Sequence, residues 1–372
     1  MDGLDLAAVR FETTEDHTGF ELLACQTDPW SAEWLDRLRN LPEAPAALYA
    51  KTHSDFGHLC GMMLRRFLLT HDLKPDFVAS HGHTVFHQPH KHFTAQIGCG
   101  QTMASYVNCP VVNNFRPRDI AQGGEGAPLV PFGELKLFAD YSLFLNLGGI
   151  ANLSILQRPG KQAWSLVSRL RKSPTHLACD ICPVNQVLDT LAHRHNPELR
   201  YDPEGEIARS GELLPELLIQ LEGLPFYAML PPRSLGREWL DEDVWPLLNA
   251  SRAPLPDLLH TWCEHVALRI ADECQRQNLR NAEILTTGGG AHNHFLIERL
   301  QARLEPLSIR LVVPDRLQIE YKEALIFAYL GLCTLQGQPN VLHEATGARK
   351  ASVLGAIHLP DRGLNAGGAW FW

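Results

Sequence analysis

The chain has 372 residues, of which 45% are apolar and 20% are charged. At roughly 100–200 residues per domain this length predicts two domains, and so balanced a composition excludes the disordered and fibrous classes. The formal net charge of −9 argues against a general nucleic-acid binder, which needs a basic footprint. An anionic ligand stays compatible with this charge, because a few backbone N–H groups can hold a phosphate.

The sequence shows no sign of secretion or of a membrane span. Its first residues contain neither a basic nor an apolar region of the kind found in signal peptides, and no apolar run reaches the roughly 18 residues of a spanning helix. The nine cysteines are scattered rather than arranged as a dense disulfide framework. We therefore expect a cytoplasmic protein with most thiols buried and with no membrane partner.

The first part of the chain mixes short strands with a helix. Apolar residues at helical spacing between Gly57 and His71 predict the helix. Strands are predicted at Asp5–Glu12, Phe20–Cys25, Pro75–Ser80 and Pro110–Asn113, the first two as a hairpin. The glycine-rich loop Gly123–Leu129 follows, and we place a domain boundary there, between residues 124 and 125.

The second part of the chain repeats this alternation. Strands are predicted at Tyr141–Leu147, Ile150–Leu156, Glu283–Thr287 and Arg310–Val313. Apolar stripes predict helices at 184–191, 213–221, 259–274 and 295–304. The pattern is typical of an α/β fold in which helices cover largely buried sheets.

Three glycine clusters stand out, GGEGAP at 123–128, LGGIAN at 147–152 and TGGGAHN at 287–293. The last two directly follow an apolar strand, where glycine lets the backbone come close to a ligand. Each cluster alone is also typical of a tight turn, but the three together favour a phosphate or nucleotide cleft. None matches the P-loop or the dinucleotide-binding pattern, which argues against both classes.

Six segments, in this order, resemble the 1,6-anhydro-N-acetylmuramic acid kinase family of the sugar-kinase, Hsp70 and actin group. They are ASHGHTVFHQP (79–89), FRPRDIAQGGEGAPLVP (115–131), LFLNLGGIANLSIL (143–156), PPRSLGRE (231–238), TTGGGAHNHFL (286–296) and EALIFAYL with TGA (323–330, 346–348). The resemblance covers essentially the whole chain. It implies an α/β protein of two ribonuclease-H-like lobes, residues 1–124 and 125–372, with a cleft between them. In this assignment the C-terminal helix either belongs to the second lobe or packs back on the first.

The resemblance also implies a reaction. ATP and water, with Mg²⁺, convert 1,6-anhydro-N-acetylmuramic acid into N-acetylmuramic acid 6-phosphate during cell-wall recycling. Opening the anhydro bridge needs a carboxylate that orients and deprotonates water, while phosphoryl transfer needs positioning and charge neutralisation. The expected partners are a sugar and ATP, with a homodimer left open. No protein ligand for a metal is predicted.

Asp180 is the predicted catalytic base. Family members carry D-T-G-P-G-N at this place, and residues 180–185 read DICPVN, so that Asp180, Pro183 and Asn185 match and the threonine and both glycines do not. The alternative is that Asp180 only caps the helix that begins near Val184.

The resemblance assigns sugar binding to Arg116, Arg118, Asp119 and Glu323. Arginine suits the lactyl carboxylate because it donates two parallel hydrogen bonds. An interdomain salt bridge is the alternative for the arginines, and an exposed helical glutamate is the alternative for Glu323. The expected ATP-binding residues are Asp2, Gly3, Gly148, Gly149, Asn152, Gly288, Gly289, Gly290 and Asn293.

The first residues depart from the family pattern. The family opens with a strand and G-T-S-x-D-G, of which Met1–Asp5 matches only the end. We therefore expect the first strand of lobe one to be missing, which would leave unpaired backbone along Asp5–Glu12. A late start codon and a true truncation both explain this departure. Two alternatives follow for the function, a catalytically weak sugar-binding homologue and a kinase of another anhydro-sugar such as levoglucosan.

Two other patterns carry alternative chemistry. Five histidines between His81 and His92 could suggest a metal site, and Cys179 and Cys182 form a C-x-x-C pair typical of redox proteins. Both patterns lie in or beside the segments of the resemblance, which favours a sugar kinase over either chemistry.

Overall fold

A computed structural model describes residues 3–14, 18–156, 176–229, 233 and 235–360. The chain divides into two compact units. Unit 1 is Met1–Phe138 with Tyr321–Trp372, and unit 2 is Ala139–Glu320. The boundary predicted after residue 124 falls inside unit 1. The segment Tyr321–Trp372 also belongs to unit 1, a return that the sequence analysis left open for the C-terminal helix. The glycine-rich loop is no linker, because the Asp119 carboxylate accepts a hydrogen bond from Gly126 N–H at 2.7 Å.

The first segment of unit 1 contains six strands and five α-helices among its described residues. In chain order they are β1 (Gly3–Thr13), β2 (Thr18–Pro29), α1 (Ala32–Asn40), α2 (Ala46–Thr70), β3 (Val78–Ala79), β4 (His83–Gln88), β5 (Phe93–Ile97), α3 (Gly100–Ala104), β6 (Val111–Asn113), α4 (Pro117–Ala121) and α5 (Val130–Leu137).

Unit 2 follows with five strands and seven α-helices among its described residues. These are β7 (Leu143–Leu147), β8 (Ile150–Leu156), β9 (His176–Pro183), α6 (Asn185–His195), α7 (Glu206–Ser210), α8 (Pro215–Glu222), α9 (Arg237–Trp239), α10 (Trp245–Ser251), α11 (Leu255–Arg276), β10 (Ala282–Thr287), α12 (His294–Leu304) and β11 (Ile309–Val312). The chain returns to unit 1 within α13 (Arg316–Leu335), and α14 (His343–Thr346) and β12 (Ala356–His358) follow it.

In unit 1 the described strands form three separate sheets, β1–β2, β4–β5 and β12–β6–β3. The predicted hairpin is confirmed as β1 and β2, which pair antiparallel. Helix α2 buries Phe56, Cys60, Leu64 and Phe67 at helical spacing. It begins eleven residues before the predicted Gly57, because its mostly exposed first turns carry no apolar stripe.

Unit 2 is built on one five-stranded sheet of order β11–β10–β7–β8–β9. Strands β7, β8 and β9 pair antiparallel, and β10 and β11 continue the sheet parallel to β7. This order is the ribonuclease-H-like arrangement that the resemblance implies. Helix α11 supplies Leu259, Trp262, Val266 and Ile270 to the core of the unit, each with no exposed surface.

Two further expectations concern cysteines and membranes. All nine cysteines are free and seven are buried, which confirms that most thiols lie inside. Within the described ranges, no helix combines the length and the apolar character needed to cross a bilayer.

Candidate functional site

Asp180 lies on β9, beside a β-bulge. The pairing of β8 with β9 shifts between Ala151 and Asn152, so that Asn152 stands opposite Asp180. Bulges of this kind turn a side chain and are frequent beside active sites. Asn152 Nδ2 donates to Asp180 Oδ1 at 3.0 Å, and the Leu235 backbone N–H donates to Asp180 Oδ2 at 3.0 Å. Both carboxylate oxygens are therefore held in place.

Asp180 does not cap a helix. Helix α6 begins at Asn185, its N-cap residue is Val184, and no side chain caps it. The alternative in which Asp180 serves only as a cap is therefore wrong. The half-buried carboxylate is instead fixed by contacts that depend on distant segments.

The segment that holds Asp180 is anchored by a buried ion pair. Arg233 Nε donates to the Asp180 carbonyl at 3.1 Å, and the Asp180 N–H donates to the Arg233 carbonyl at 3.2 Å. Arg233 Nη2 also donates to Glu273 Oε2 at 2.8 Å, and the two side chains are 2% and 1% exposed. A buried charge requires such a partner. Glu273 thus positions, through Arg233, the backbone around Asp180.

The glycine clusters of unit 2 meet at one edge of its sheet. Strands β7 and β10 are parallel, with Thr287 opposite Asn146, so that Gly148-Gly149 and Gly288–Gly290 both follow carboxyl ends of adjacent strands. Ligands of open α/β sheets bind at this edge. Asn146, Gly149 and Gly289 are exposed there.

The close packing at this edge explains why glycine is needed. Gly288 has a φ of +87°, and a Cβ on it would lie 2.5 Å from Asn146 Oδ1. A Cβ on Gly289 would meet only Asn185 Nδ2, at 3.2 Å. Gly288 is therefore required by the turn itself, whereas Gly289 presents open backbone that an anion could approach. The buried hydroxyl of Thr287 has no hydrogen-bond partner among the described residues.

Asn293 serves as a helix cap. It is 7% exposed, and its Oδ1 accepts from Leu296 N–H at 2.9 Å as the N-cap of α12. Asn185 lies nearer the exposed edge, where its Nδ2 donates to the Leu147 carbonyl at 3.1 Å. The first N–H groups of α6 are bonded to the carbonyls of Gly148 and Gly149, which ties this glycine turn to the helix.

In unit 1, Arg116 forms a compact cluster with His81. Arg116 Nε and Nη2 lie 3.0 and 2.9 Å from His81 Nε2, and Nη1 donates to the Gly126 carbonyl at 2.8 Å. Burial and the Arg116 charge lower the pKa of His81 to about 4, which leaves the ring neutral and able to accept. Burial lowers the pKa of Arg116, and the nearby Glu323 carboxylate raises it.

The two arginines of the same segment have different surroundings. Arg118 is exposed, and its Nη1 donates to the Val353 carbonyl at 2.6 Å. Asp119 is 1% exposed, and its carboxylate accepts from Gly126 N–H and from the Thr346 hydroxyl. Asp119 thus organises the loop between these partners. Of the residues predicted to bind sugar in this segment, Arg116 is the one grouped with Glu323.

Glu323 lies on α13 and its side chain opens into a cavity of unit 1. Desolvation of the carboxylate by the surrounding protein raises the pKa of Glu323, and the charge of the Arg116 guanidinium lowers it. Gly3 begins β1 and lies against the Asp28 carbonyl. Asp2 lies outside the described residues. The predicted sites therefore form two groups, one in each unit.

The alternative chemistries find no support. Burial raises the pKa of the Cys179 thiol to about 12 and also raises that of Cys182, whereas a redox thiol has a lowered pKa. Among the described residues, no group of three or more His, Cys, Asp or Glu side chains is placed to hold a metal ion.

Comparison with known proteins decides the family. The family model described as anhydro-N-acetylmuramic acid kinase matches residues 1–360. The chain belongs to the anhydro-N-acetylmuramic acid kinase family. Curated relatives of that name include one from Xylella fastidiosa, 33% identical over 96% of this chain and 93% of its own. A relative from Coxiella burnetii is 32% identical over 97% and 95%, respectively.

Solved structures are more distant. The activator of the 2-hydroxyisocaproyl-CoA dehydratase from Clostridium difficile with bound ADPNP is 14% identical, with a TM-score of 0.37 over 86% of this chain and 97% of that chain. A ROK family glucokinase from Streptomyces griseus in complex with glucose and AMPPNP is 12% identical, with a TM-score of 0.30 over 82% and 94%. Neither likeness is strong enough to support a conclusion.

Sequence patterns did not predict the observed role of every residue at these sites. His81 and Arg233 both lie inside segments that resemble the family, which was the available signal. Glu273 had a weaker one, since it interrupts the apolar stripe of α11 between Ile270 and Cys274. A carboxylate on a buried helix face requires a buried partner, but the apolar stripe alone does not identify the residue that is this partner.

Proposed function

We propose that the protein is an ATP-dependent kinase that phosphorylates 1,6-anhydro-N-acetylmuramic acid with hydrolytic opening of its ring. The product is N-acetylmuramic acid 6-phosphate, and the role is in cell-wall recycling. Membership of the kinase family supports the class of reaction. The observation that carries the proposal is the Asp180 carboxylate, with both oxygens held by Asn152 and Leu235.

Asp180 is proposed as the base for the attacking water. It accepts a proton from the water as the water oxygen bonds to the anomeric carbon, and the bond from that carbon to O6 breaks. O6 bonds to the γ-phosphorus of ATP, and ADP leaves with the electrons of the broken phosphoanhydride bond. A carboxylate held by two fixed donors keeps its orientation through these steps, which favours a reaction with two coupled bond changes.

The nucleotide is proposed to bind at the glycine edge of unit 2. Exposed glycine backbone at Gly149 and Gly289 leaves room for phosphate oxygens, and the unpartnered Thr287 hydroxyl is a further donor at that edge. Mg²⁺ is proposed to arrive with ATP. The physical reason is that Mg²⁺ commonly binds through substrate phosphates and one or two carboxylates.

Arg116 is proposed to recognise the lactyl carboxylate of the sugar, with Glu323 as a second sugar contact. Three of the five guanidinium N–H donors are engaged by His81 and Gly126, which fixes the plane of the group. A fixed guanidinium suits a carboxylate ligand, which accepts two parallel hydrogen bonds. Levoglucosan has no carboxylate, so this contact would distinguish the two sugars.

The experiment is an assay of ADP release with 1,6-anhydro-N-acetylmuramic acid, levoglucosan or no sugar. We expect ADP only with the first sugar. Faster turnover of levoglucosan would assign the protein to another anhydro-sugar. Binding of the first sugar by calorimetry without any ADP release would make it a sugar-binding homologue instead.

A further inference from the structure

Helix α11 carries a buried polar cluster inside unit 2 that takes no part in the proposed reaction steps. His265 and Arg269 of α11 meet Glu222, the last residue of α8, and His265 also meets Tyr227 in the short 3-10 helix that follows. His265 has no exposed surface, and Tyr227 is 2% exposed. Polar groups removed from water in this way cost stability unless they are hydrogen-bonded.

The hydrogen bonds of this cluster have a fixed direction. Burial lowers the pKa of His265 more than the Glu222 carboxylate raises it, so the ring is neutral. Its Nδ1 lies 2.5 Å from Glu222 Oε1, and because a carboxylate only accepts, Nδ1 carries the proton and donates. Nε2 is then an acceptor, and the Tyr227 hydroxyl donates to it at 2.8 Å. Arg269 bonds the other Glu222 oxygen and lies 5.0 Å from the centre of the Tyr227 ring.

The same helix also binds the backbone that follows Tyr227. Arg276 Nη1 donates to the Tyr227 carbonyl at 2.6 Å. Glu273 holds Arg233, whose Nη1 donates to the Met229 carbonyl at 2.7 Å. The α11 side chains that make these contacts recur every three or four residues and therefore share one face of the helix: His265, Arg269, Glu273 and Arg276.

The segment held in this way leads to a residue that orients the candidate base. Leu235 follows Tyr227 in the chain, and its N–H donates to Asp180 Oδ2 at 3.0 Å. A polar cluster is not needed merely to fill this part of the core, because apolar side chains of the same shape would fill it with little change in stability. Its directed hydrogen bonds instead fix the position of the Tyr227 ring and of the backbone attached to it.

We propose that His265 is a positioning residue for Asp180, acting through Tyr227 on the segment that supplies the Leu235 N–H. The inference rests on the proposed role of Asp180 as the base. The rest of the cluster fixes the orientation of the imidazole, and the imidazole fixes the Tyr227 hydroxyl. A displaced segment would release one oxygen of the Asp180 carboxylate, and a misplacement of about 1 Å can lower a rate by roughly 10²-fold.

The test is Tyr227→Phe, which removes the donor to His265 and keeps the ring. We expect amide hydrogen exchange at Leu235, followed by mass spectrometry, to become faster by about tenfold or more. We also expect kcat for ADP release with 1,6-anhydro-N-acetylmuramic acid to fall about tenfold, while KM for the sugar and KM for ATP stay unchanged. Thr261→Val is the matched control, because it removes another buried hydroxyl of α11, one that accepts from the Leu214 N–H at 3.0 Å. It should leave Leu235 exchange and kcat as they are.

A second variant separates positioning from loss of stability. Tyr227→Phe combined with His265→Leu removes both partners and should recover most of the urea midpoint that Tyr227→Phe loses, but not kcat. If the single variant does not fold, the double variant serves for both measurements. Faster Leu235 exchange with a low kcat supports the proposal, whereas exchange equal to that of Thr261→Val, or a normal kcat in the stable double variant, overturns it. Absence of ADP release from the unchanged protein with any sugar would contradict the kinase activity, and the exchange measurement would still decide whether His265 holds the segment.

Discussion

Asp180 is oriented by donors that are well separated from it in sequence. Asn152 reaches one carboxylate oxygen across the sheet, and the Leu235 N–H reaches the other. Asp180 can act as a base only as a carboxylate, because the amide of an asparagine does not accept the proton. An amide in the same place would keep most of the hydrogen bonding, because the Asn152 carboxamide can rotate to present its oxygen.

Asp180→Asn should therefore lower turnover strongly while sugar binding is preserved. General-base catalysis contributes roughly 10²–10⁴-fold, so kcat should fall by that factor. The measurement is ADP release together with calorimetric binding of the sugar. Asp241→Asn, at an exposed acidic position, is the matched control and should keep full activity. A loss of only tenfold for Asp180→Asn would move the base elsewhere.

Arg116 and Arg118 provide a matched pair two residues apart. Arg116→Lys removes the planar fork, and a hydrogen bond to a charged group is worth about 1.5–3 kcal/mol. We expect KM for 1,6-anhydro-N-acetylmuramic acid to rise about 10–100-fold. Arg118→Lys should leave KM nearly unchanged, since Arg118 bonds the Val353 carbonyl. Equal effects of the two changes would contradict the assignment of Arg116 to the sugar.

At the scale of elements, the loop after β10 contains two glycines with different roles. Gly288 is needed for the turn, and Gly289 is a candidate contact of the ligand. Gly288→Ala places a Cβ at a φ of +87° and 2.5 Å from Asn146 Oδ1, which should cost about 1–3 kcal/mol of unfolding free energy. Gly289→Ala should change that energy by at most about 0.5 kcal/mol and should raise KM for ATP. Urea unfolding and ATP kinetics are the two measurements. An unchanged KM for ATP in a stable Gly289→Ala protein would make the loop a turn only.

The ion pair between Arg233, which precedes α9 in the chain, and Glu273 of α11 makes a second test at this scale. Glu273→Gln leaves Arg233 buried without a counter-charge, and breaking such a pair costs about 3–5 kcal/mol. The double change Arg233→Met with Glu273→Leu should recover most of this stability, because both charges are gone. It should not recover kcat, since the Arg233 Nε bond to the Asp180 carbonyl is lost. A stable double variant with normal kcat would show that the pair has no positioning role.

At the scale of the whole molecule, buried neutral histidines make stability depend on pH. Burial lowers the pKa of His81 to about 4, and it also lowers the pKa values of His83 and His265. The unfolded chain takes up these protons near pH 6.5, where the folded protein does not. The contribution of these neutral histidines to the free energy of unfolding should therefore be fully present above about pH 6.5. It should be lost as the pH falls toward 4.

His81→Gln isolates one proton of this dependence. The glutamine oxygen can still accept from Arg116, but it does not titrate. Between pH 6.5 and 4.5 the slope of unfolding free energy should be smaller by about 1.4 kcal/mol per pH unit, as measured by urea unfolding at several pH values. His294→Gln, at an exposed histidine, is the control. An unchanged slope for His81→Gln would mean that His81 is protonated in the fold.

Local patterns in the amino-acid sequence determined where most strands of unit 2 form. The predicted strand Ile150–Leu156 coincides with β8, and the prediction Glu283–Thr287 misses one residue of β10. Each strand contains consecutive apolar residues and has glycine next to one end, so its signal lies within a few residues. The resemblance selected Asp180 in the same way, from matches that can be read along the sequence. Strand β9, which carries Asp180, was missed because its residues show no alternation.

Tertiary structure alone decided which residues act together. The Leu235 N–H reaches Asp180 from 55 residues away, Glu273 reaches Arg233 from 40, and Thr346 reaches Asp119 from 227. The unit boundary likewise depends on a segment that returns after residue 320. Hydrophobic periodicity and turn-forming residues are signals that lie within a short stretch of sequence, so they determine where strands and helices form. The partner of a buried carboxylate is therefore decided only when distant segments of the chain have packed together.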